Sequence, residues 1–202
     1  MLNYNLLKIS KGSGKLEDIQ SLNTNTLTNP FCIKQNKNKN SICNKCYSIN
    51  MLKTMRKNCV PSWQNNSELL SKEIIHTELL PNVLNAFFRF SSHGELINEN
   101  HFINLINICL KNEHCLFTLW TKRKDIINKV FKTMNKPKNL ILIFSNSQLN
   151  KPIKDLPKYF NKTFNNVTKE YNNNDVNCLG KCKECMICYK HNDIKTIIEY
   201  VK

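Results

Sequence analysis

The chain has 202 residues, of which 41% are hydrophobic, and a formal net charge of +15. This length and composition suffice for one domain with a hydrophobic core, and the absence of a run of about 18 apolar residues excludes a membrane-spanning helix. Residues 1–15 lack the basic start, the long apolar stretch and the small-residue cleavage site of a secretion signal, so we expect a protein of the reducing cytoplasm with no membrane partner.

Apolar residues alternate or run together in several segments that predict β-strands, and between these segments they recur every three or four residues, as in amphipathic helices. The predicted strands cover residues 3–9, 86–92, 115–121 and 139–145, with a short further strand at 162–167. The predicted helices cover residues 49–57, 67–80, 101–111 and 124–134, with a closing helix at 193–201.

Strands that alternate with helices are typical of parallel βα units. The predicted fold class is therefore α/β, as a partial (open) parallel βα barrel, because the chain is shorter than the roughly 250 residues of an eight-stranded barrel. We predict a βα core over residues 1–170, with a cysteine-bearing loop after the first strand. A cysteine-rich segment and the closing helix are predicted over residues 171–202.

The chain contains ten cysteines, most of which fall into two groups. Disulfides seldom persist in a reducing cytoplasm, so clustered cysteines indicate metal binding or redox chemistry. Cys109 falls on an apolar helix face and Cys115 opens a strand, so both are predicted core residues, whereas Cys59 stays unassigned. The predicted metal ligands are Cys32, Cys43 and Cys46 in the long loop over residues 10–48, and Cys178, Cys182, Cys185 and Cys188 near the end of the chain.

The second cysteine group lies in "CLGKCKECMICY", residues 178–189. A structural zinc site is typically built from two separate C-x-x-C pairs, and the overlapping pairs in this run fit that pattern poorly. Closely spaced thiolates suit an iron–sulfur cluster, in which each thiolate binds a different iron. The spacing therefore favours a 4Fe–4S cluster, and zinc stays the alternative.

The first cysteine group lies in the loop that follows the first strand, where three thiolates can bind three irons of a 4Fe–4S cluster and leave the fourth iron open. This arrangement resembles that of radical S-adenosylmethionine enzymes. The next strand ends in "RFSSHGEL", whose last residues resemble the Gly-Gly-Glu-Pro motif with which those enzymes hold the methionine amino group. The resemblance implies one or two 4Fe–4S clusters, and S-adenosylmethionine bound near Ser92, His93, Gly94 and Glu95. The same residues also suit an ordinary loop between a strand and a helix.

Basic residues lie within or after the predicted strands. Active sites of parallel α/β folds lie at the carboxyl ends of the strands, where Lys122 and Arg123 follow the third strand. Arg89 lies between phenylalanines within a strand, where a charge is costly unless it faces a partner or an anion. We therefore add these three residues to the predicted cofactor-binding set, with helix capping as the alternative for Lys122 and Arg123. No catalytic residue is assigned.

Several segments together resemble one phage and mobile-element family, called gene product eighty-eight. They are "NPFC…SICNKCYS", "RFSSHGEL", "FTLWTKR", "NLILIFSNS" and "CLGKCKECMICY", and the similarity runs from about residue 16 to the end. The resemblance implies a viral or mobile-element origin, action in the cytoplasm of the host cell, and an iron–sulfur protein without an established reaction.

The positive charge raises the question of nucleic acid as a partner. Only three of the thirty basic residues are arginine, the residue best suited to recognise phosphate or guanine, so nucleic-acid binding is expected to be non-specific.

Three functions stay open. The first is a radical S-adenosylmethionine-like enzyme with an unknown substrate, and the second is a non-enzymatic redox or structural iron–sulfur protein. The third is a zinc-bound nucleic-acid-binding module, whose binding would fall steeply with salt.

Overall fold

The computed structural model of the protein describes residues 6–171 and 174–201 and contains a seven-stranded sheet. The strands are β1 (Ile9–Ser10), β2 (Gln20–Leu22), β3 (Phe87–Phe90), β4 (Leu116–Thr121), β5 (Leu140–Leu149), β6 (Lys162–Val167) and β7 (Thr196–Tyr200). The α-helices are α1 (Pro30–Lys37), α2 (Tyr47–Lys53), α3 (Val60–Lys72), α4 (Glu99–Lys111), α5 (Lys124–Val130) and α6 (Cys182–Cys185). Short 3₁₀ helices lie at Gly14–Leu16, Ile42–Lys45, Lys57–Cys59 and Thr77–Leu79.

The strands follow one another across the sheet in chain order, with β1 and β7 at its edges. β1 is antiparallel to β2, and every later neighbouring pair is parallel. The mixed α/β class with a mostly parallel sheet is therefore confirmed, whereas closure towards a barrel stays a prediction. Within residues 6–171 and 174–201, no helix is long and apolar enough to cross a lipid bilayer.

One face of the sheet and the main helices form the hydrophobic core. Phe88, Phe117 and Leu140 occupy one row across β3, β4 and β5 and are fully buried. Side chains from α3, α4 and α5 pack against this row, among them Phe102 and Ile127. The amphipathic helices therefore bury their apolar stripes against the sheet, as their sequence periodicity predicts.

The opposite face of the sheet is more polar, because side chains alternate along each strand. Trp120 of β4 pairs in register with Ile143 of β5, which pairs with Lys162 of β6, so these three side chains share the face that bears no helix of the core. Arg89 of β3 lies on the same face, one row away, where it pairs with Thr118. This polar face carries the candidate site described below.

Buried asparagines hold the connecting segments in place. Asn104 of α4 accepts a hydrogen bond from the Ile75 backbone at 2.8 Å, and its amide donates to the carbonyl of Leu70 at 2.9 Å. Asn112 similarly accepts from Val83 at 2.7 Å and donates to the carbonyl of Pro81 at 3.0 Å. Because buried backbone groups need partners, these asparagines fasten the segment between α3 and β3 to the middle and the end of α4.

Several sequence-based expectations are wrong at the two ends of the chain. The closing helix predicted over 193–201 is strand β7, since Ile197 and Ile198 are both buried and the strand pairs with β6 along its whole length. The strand predicted over 3–9 contributes only Ile9, as part of β1, and residues 1–5 lie outside the described residues. The predicted loop over 10–48 contains β2 and α1, so β2 is the first strand of the parallel series.

Three predicted helices also have different bounds. The helix predicted over 67–80 ends at Lys72, and only the short 3₁₀ helix Thr77–Leu79 follows it. The helix predicted over 49–57 is α2, which ends at Lys53 before the 3₁₀ helix Lys57–Cys59. The helix predicted over 101–111 lies within α4, and the strand predicted over 162–167 is β6, whereas the helix predicted over 124–134 is α5, which ends at Val130.

Candidate metal centres

Three of the predicted ligands, Cys32, Cys43 and Cys46, form what we call the upstream thiol group. Cys32 lies in the first turn of α1, which begins at Pro30 because proline suits the first helical position. The Asn29 side chain accepts hydrogen bonds from the Phe31 and Cys32 backbones at 3.0 and 3.2 Å, as an N-cap does. Its amide also donates to the carbonyl of Glu95 at 2.8 Å. The helix that carries Cys32 is thereby tied to the loop after β3.

The other two thiols of the upstream group follow α1 through a tight turn. The Asn36 side chain donates to the carbonyls of Cys43 and Asn44 at 2.8 and 3.1 Å, and Asn44 donates back to the carbonyl of Asn36 at 2.8 Å. The Ser41 hydroxyl accepts from the Cys43 backbone at 3.2 Å. These bonds fold residues 41–46 against α1, so that thiols separated by up to 14 positions, from Cys32 to Cys46, lie in one region.

The three upstream thiols lie close enough to interact electrostatically. Burial raises the pKa of Cys32 strongly, and the charges of Glu95, Cys46 and Cys43 raise it further, whereas Lys122 lowers it. Burial also raises the pKa of Cys46, and hydrogen bonds from the backbone N–H groups of Ile49 and Ser48 partly offset this rise. Without a cation, Cys32 and Cys46 are therefore protonated at neutral pH. A metal that binds them must displace their protons.

Glu95 connects the ends of β3 and β4. One carboxylate oxygen accepts from the Thr121 hydroxyl at 2.5 Å and from the Leu96 backbone at 2.8 Å, and the other accepts from the Lys122 backbone at 2.9 Å. The residue is buried. Most of the acceptor capacity of Glu95 is thus used within the protein, and one oxygen keeps a free lone pair for a further donor.

His93 packs between the upstream group and α3. Its ring lies 4.5 Å from the Trp63 ring and 5.5 Å from the Tyr47 ring, measured between centroids. Ser48 and the His93 Nδ1 atom share a hydrogen bond of 2.8 Å, and the Ser48 hydroxyl also contacts the Thr26 hydroxyl at 2.6 Å. Burial lowers the pKa of His93 to about 3, so the ring is neutral and positions α2, the helix after Cys46.

Gly94 allows the loops after β2 and β3 to approach each other. Its φ is +89°, and a Cβ atom at this position would lie 2.0 Å from the Thr24 hydroxyl. The Thr24 backbone donates to the carbonyl of His93 at 3.2 Å. The glycine therefore serves loop packing in this structure, and the buried hydroxyls of Thr24 and Ser92 have no hydrogen-bond partner among the described residues.

The two basic residues after β4 have different surroundings. The Lys122 ammonium donates to Ser145 at 2.9 Å and lies close enough to Cys32 and Cys46 to lower the pKa of both. Arg123 donates through Nη2 to Asp125 at 2.7 Å and through Nη1 to the carbonyl of Leu96 at 3.0 Å. Lys122 thus faces the upstream group, whereas Arg123 is engaged in bonds that hold the β4–α5 connection.

The downstream thiol group consists of Cys178, Cys182, Cys185 and Cys188, and the same small pocket of about 20 Å³ is lined by all four residues. The segment begins on the sheet edge, where the backbones of Asn177 and Cys178 donate to the carbonyl of Ile198 in β7. Helix α6 then carries Cys182 and Cys185 and ends at Met186, whose positive φ of 52° reverses the chain towards Cys188. The local backbone therefore gathers the four thiols around one space.

Three of the downstream thiols, Cys178, Cys182 and Cys188, are also protonated without a metal. Burial raises the pKa of Cys188 to about 12, and the thiolates of Cys182, Cys178 and Cys185 add to this rise, whereas Arg89 opposes it. Burial likewise raises the pKa of Cys182 and of Cys178. The isolated cysteines differ, since Cys109 and Cys115 lie in the core as predicted and Cys59 lies half-buried outside both groups.

Tyr189 fixes the downstream segment on the polar face of the sheet. Its side chain is 1% exposed and its ring lies 5.6 Å from the Trp120 ring. In the first turn of α6, the Lys183 ammonium pairs with Asp18 at 2.6 Å. The segment therefore contacts both the start of β2 and the centre of the sheet.

The donor sets can be compared with what each metal requires. Across residues 6–171 and 174–201, no three His, Cys, Asp or Glu side chains are placed to share one metal ion. A tetrahedral zinc site needs its sulfur ligands about 2.3 Å from the ion and hence almost in contact, whereas a cluster binds each thiolate to a different iron. The downstream pocket of about 20 Å³ must widen before it can admit a cluster.

Some residues of the candidate site are not apparent from the sequence. Asn29 caps the helix of Cys32, and Tyr47 donates to the carbonyl of Ser92 at 2.5 Å. Trp120 and Tyr189 pack against each other on the polar face, with their ring centroids 5.6 Å apart. The asparagine before a proline could have been read as a helix start, but the partners of Tyr47 and Tyr189 are far away in the chain and leave no local signal.

Comparison with known proteins agrees with the motif-based resemblance. The family described as Gene product 88 matches residues 7–194. No curated protein and no solved structure matches the chain. The match spans most of the sequence and includes both thiol groups. The chain therefore belongs to the gene product 88 family.

Proposed function

We propose that this protein is an iron–sulfur protein in which the upstream thiol group binds a 4Fe–4S cluster with one open iron, and that S-adenosylmethionine binds at that iron. When bound and reduced, such a cluster supplies the electron that cleaves a carbon–sulfur bond of S-adenosylmethionine. The substrate that would receive the resulting radical is unknown. Cys32, Cys43 and Cys46 are the proposed ligands.

The main support for the proposal is a group of three thiols, rather than four, that interact with one another at the ends of parallel strands. Cys32 interacts electrostatically with Cys43 and Cys46, and its helix is tied to the loop after β3. Ligands of open parallel sheets bind outside the carboxyl ends of the strands. Three thiolates leave one iron of a four-iron cluster without a protein sulfur, which is what binding of a small molecule requires.

Several polar groups near the upstream thiols suit a polar ligand. The Ser92 hydroxyl is buried and has no partner among the described residues, and the Lys122 ammonium lies near Cys32. Glu95 keeps one lone pair on the oxygen that accepts from the Lys122 backbone. These groups supply a donor, a positive charge and an acceptor, which match the carboxylate and amino groups of the methionine part of S-adenosylmethionine.

The downstream thiol group is proposed to bind a second metal–thiolate group, for which four thiols form a complete ligand set. The support is the common pocket lined by Cys178, Cys182, Cys185 and Cys188. Metal binding would deprotonate these buried thiols and add its free energy to the stability of the segment.

The family suggests where the protein acts. Gene product 88 is the kind of name given to a phage gene product, so we place the protein in a virus or mobile element and its action in the cytoplasm of the host. The net charge of +15 supports weak, non-specific attraction to nucleic acid that salt would screen.

A non-enzymatic role is the second candidate, and the surroundings of Glu95 favour it. In radical S-adenosylmethionine enzymes the residue at this point of the motif faces the ligand, whereas Glu95 accepts three hydrogen bonds from Thr121, Leu96 and Lys122. A protein whose clusters carry electrons or stabilise the fold would need no free carboxylate here. A zinc-bound nucleic-acid-binding module is the third candidate.

The test uses anaerobically prepared, reduced protein incubated with S-adenosylmethionine, with 5′-deoxyadenosine and methionine measured as products. The proposal expects both products, their loss in Cys43→Ala, and a reduced yield in Glu95→Ala. Cys59→Ala is the matched control, since Cys59 is half-buried and belongs to neither thiol group. A protein that holds its cluster but forms no product, and whose cluster spectrum ignores S-adenosylmethionine, would support the non-enzymatic role. A colourless zinc protein would support the third candidate.

A further inference from the structure

Arg89 is a strand arginine without an acidic partner. It occupies the middle of β3 and pairs in register with Ser21 of β2 and Thr118 of β4. Among the described residues, its guanidinium forms no salt bridge, and its buried Nε atom has no hydrogen-bond partner. A charge removed from water in this way is costly unless something compensates it.

The surrounding aromatic residues hold the Arg89 guanidinium in one position. Its central carbon lies 4.0 Å from the centroid of the Trp120 ring, a distance typical of a cation–π contact. Tyr189 packs beside the same ring, and its buried hydroxyl interacts with the Arg89 guanidinium. The buried Nε atom of Arg89 keeps a donor that no described group accepts, next to the segment that carries the downstream thiols.

The charges around the downstream group are mostly positive. Tyr189, which follows Cys188, lies 5.6 Å from the Trp120 ring on which Arg89 stacks, so the guanidinium lies beside the end of the downstream group. Lys162 is 2% exposed and interacts with Cys188, and Lys15 interacts with Cys178. Of the acidic residues near this group, Glu199 pairs with Lys15 at 3.3 Å and Glu184 pairs with Lys181 at 3.4 Å. Arg89 and Lys162 form no salt bridge with an acidic residue in the described part of the chain.

We propose that Arg89 is the internal counter-charge of a metal–thiolate group held by Cys178, Cys182, Cys185 and Cys188, and that it positions this group by donating hydrogen bonds to its sulfur atoms. The inference rests on the proposed second metal group. Four thiolates outweigh the positive charge of either a zinc ion or an oxidised 4Fe–4S core, so the bound group is an anion in both cases. Arginine suits this role because its planar donors stay charged at any physiological pH.

The proposal predicts that replacement of Arg89 has different effects on the metal-free and the metal-loaded protein. Without metal, Arg89 is a buried charge with no acidic partner among the described residues, so its replacement by methionine, which keeps much of the side-chain length, should leave the free energy of unfolding unchanged or higher. With metal, the same replacement removes the counter-charge, and loss of a residue that supports metal ligands typically weakens binding by about 10- to 100-fold. An arginine that serves only packing would destabilise both forms.

The experiment uses the full chain, prepared anaerobically, as the wild type, Arg89→Met, Arg89→Lys and Lys181→Met. Lys181→Met is the matched control, because it removes one positive charge beside Cys182 in the sequence from a side chain that is 68% exposed. A chelator is added, and alkylation of each downstream cysteine is followed by peptide mass spectrometry. We expect alkylation to be at least about tenfold faster in Arg89→Met, intermediate in Arg89→Lys, and unchanged in Lys181→Met.

Each outcome decides the proposal. Equal alkylation rates in Arg89→Met and wild type, with metal present in both, would overturn the role of Arg89 and leave the second metal group standing. If metal-free Arg89→Met is less stable than the metal-free wild type, and Arg89→Lys does not restore metal retention, then Arg89 serves packing. This result would also overturn the proposal. Rapid alkylation of these cysteines in fresh wild-type protein would show that they hold no metal, which removes the second metal group itself and leaves the upstream group to be tested separately.

Discussion

The side-chain amide of Asn29 donates a hydrogen bond of 2.8 Å to the backbone carbonyl of Glu95, although the two residues are 66 positions apart. The same asparagine caps the helix that carries Cys32. One buried side chain thus fixes the upstream thiol group relative to the loop after β3. If the upstream cysteines bind a cluster, Asn29 sets how that cluster faces the polar residues of this loop.

Replacement of Asn29 by alanine should destabilise the protein and loosen the upstream group. The change removes an N-cap, which costs about 1 kcal/mol, and leaves the buried Glu95 carbonyl without its partner, which costs about 1–3 kcal/mol. We expect the free energy of unfolding to fall by roughly 2–3 kcal/mol in chemical denaturation, with faster alkylation of Cys32. Asn38→Ala, at the exposed other end of α1, should change the free energy by less than about 0.5 kcal/mol. Equal effects of the two replacements would contradict this account.

The two glycines with positive φ at 94 and 180 should respond differently to alanine. A Cβ atom on Gly94 would lie 2.0 Å from the Thr24 hydroxyl and 2.7 Å from the Thr24 carbonyl oxygen, whereas none of the described atoms lies within 4 Å of such an atom on Gly180. Gly94→Ala should therefore cost about 3 kcal/mol or more, from overpacking and backbone strain together. Gly180→Ala should cost only about 1 kcal/mol, for its conformation alone. Thermal or chemical unfolding of both variants measures the difference, and a tolerated Gly94→Ala would refute the close approach of the two loops.

Two buried histidines should make the protein less stable in mild acid. Burial lowers the pKa of His101, and likewise that of His93, from 6.5 to about 3. Between these values the unfolded chain binds protons that the folded chain does not, so stability is lost as the pH falls through 6.5. From pH 7 to pH 5 each histidine should cost about 2 kcal/mol of unfolding free energy.

The variant His101→Asn tests this expectation, because an asparagine oxygen can replace the Nδ1 atom that accepts from the Ile97 backbone. Denaturation curves at pH 7 and pH 5 should show about 2 kcal/mol less loss in this variant than in the wild type, whatever its starting stability. His76→Asn alters a histidine whose side chain is 74% exposed and should keep the wild-type slope. Identical slopes in all three proteins would show that His101 is not neutral in the folded state.

The sequence predicted the architecture well where the signals are local. The apolar runs around Phe88, Phe117 and Leu142 mark β3, β4 and β5, and the periodicity of α4 marks a helix that packs on them. The upstream and downstream cysteine groups are visible from spacing alone.

The elements that the sequence did not predict depend on distant partners. β2 has only three residues and pairs with β3, which lies more than 60 positions further along the chain, so no local pattern marks it. The segment of β7 has apolar residues at spacings that also suit a helix, and pairing with β6 decides the outcome. Arg89 was recognised as a costly strand charge, but its neighbours Trp120 and Tyr189 become apparent only in the folded protein.

The double variant Cys182→Ala with Cys185→Ala should lose the downstream metal and weaken the last strand. The backbones of Asn177 and Cys178 both donate to the carbonyl of Ile198, so release of the segment removes bonds from the edge of β7. We expect faster protease cleavage within residues 196–200 and a lower metal content, because metal binding contributes to folding free energy. Cys59→Ala serves as the control and should keep both properties. Full metal content and unchanged protease resistance in the double variant would mean that these cysteines are not ligands.

The most direct test of the central claim is the content of iron, acid-labile sulfide and zinc in protein purified without oxygen, measured for the wild type, Cys43→Ala and Cys59→Ala. The account predicts brown protein with iron and sulfide in comparable amounts, a clear loss of both in Cys43→Ala, and wild-type values in Cys59→Ala. Stoichiometric zinc without sulfide in fresh anaerobic protein, or iron and sulfide that Cys43→Ala leaves unchanged, would contradict it.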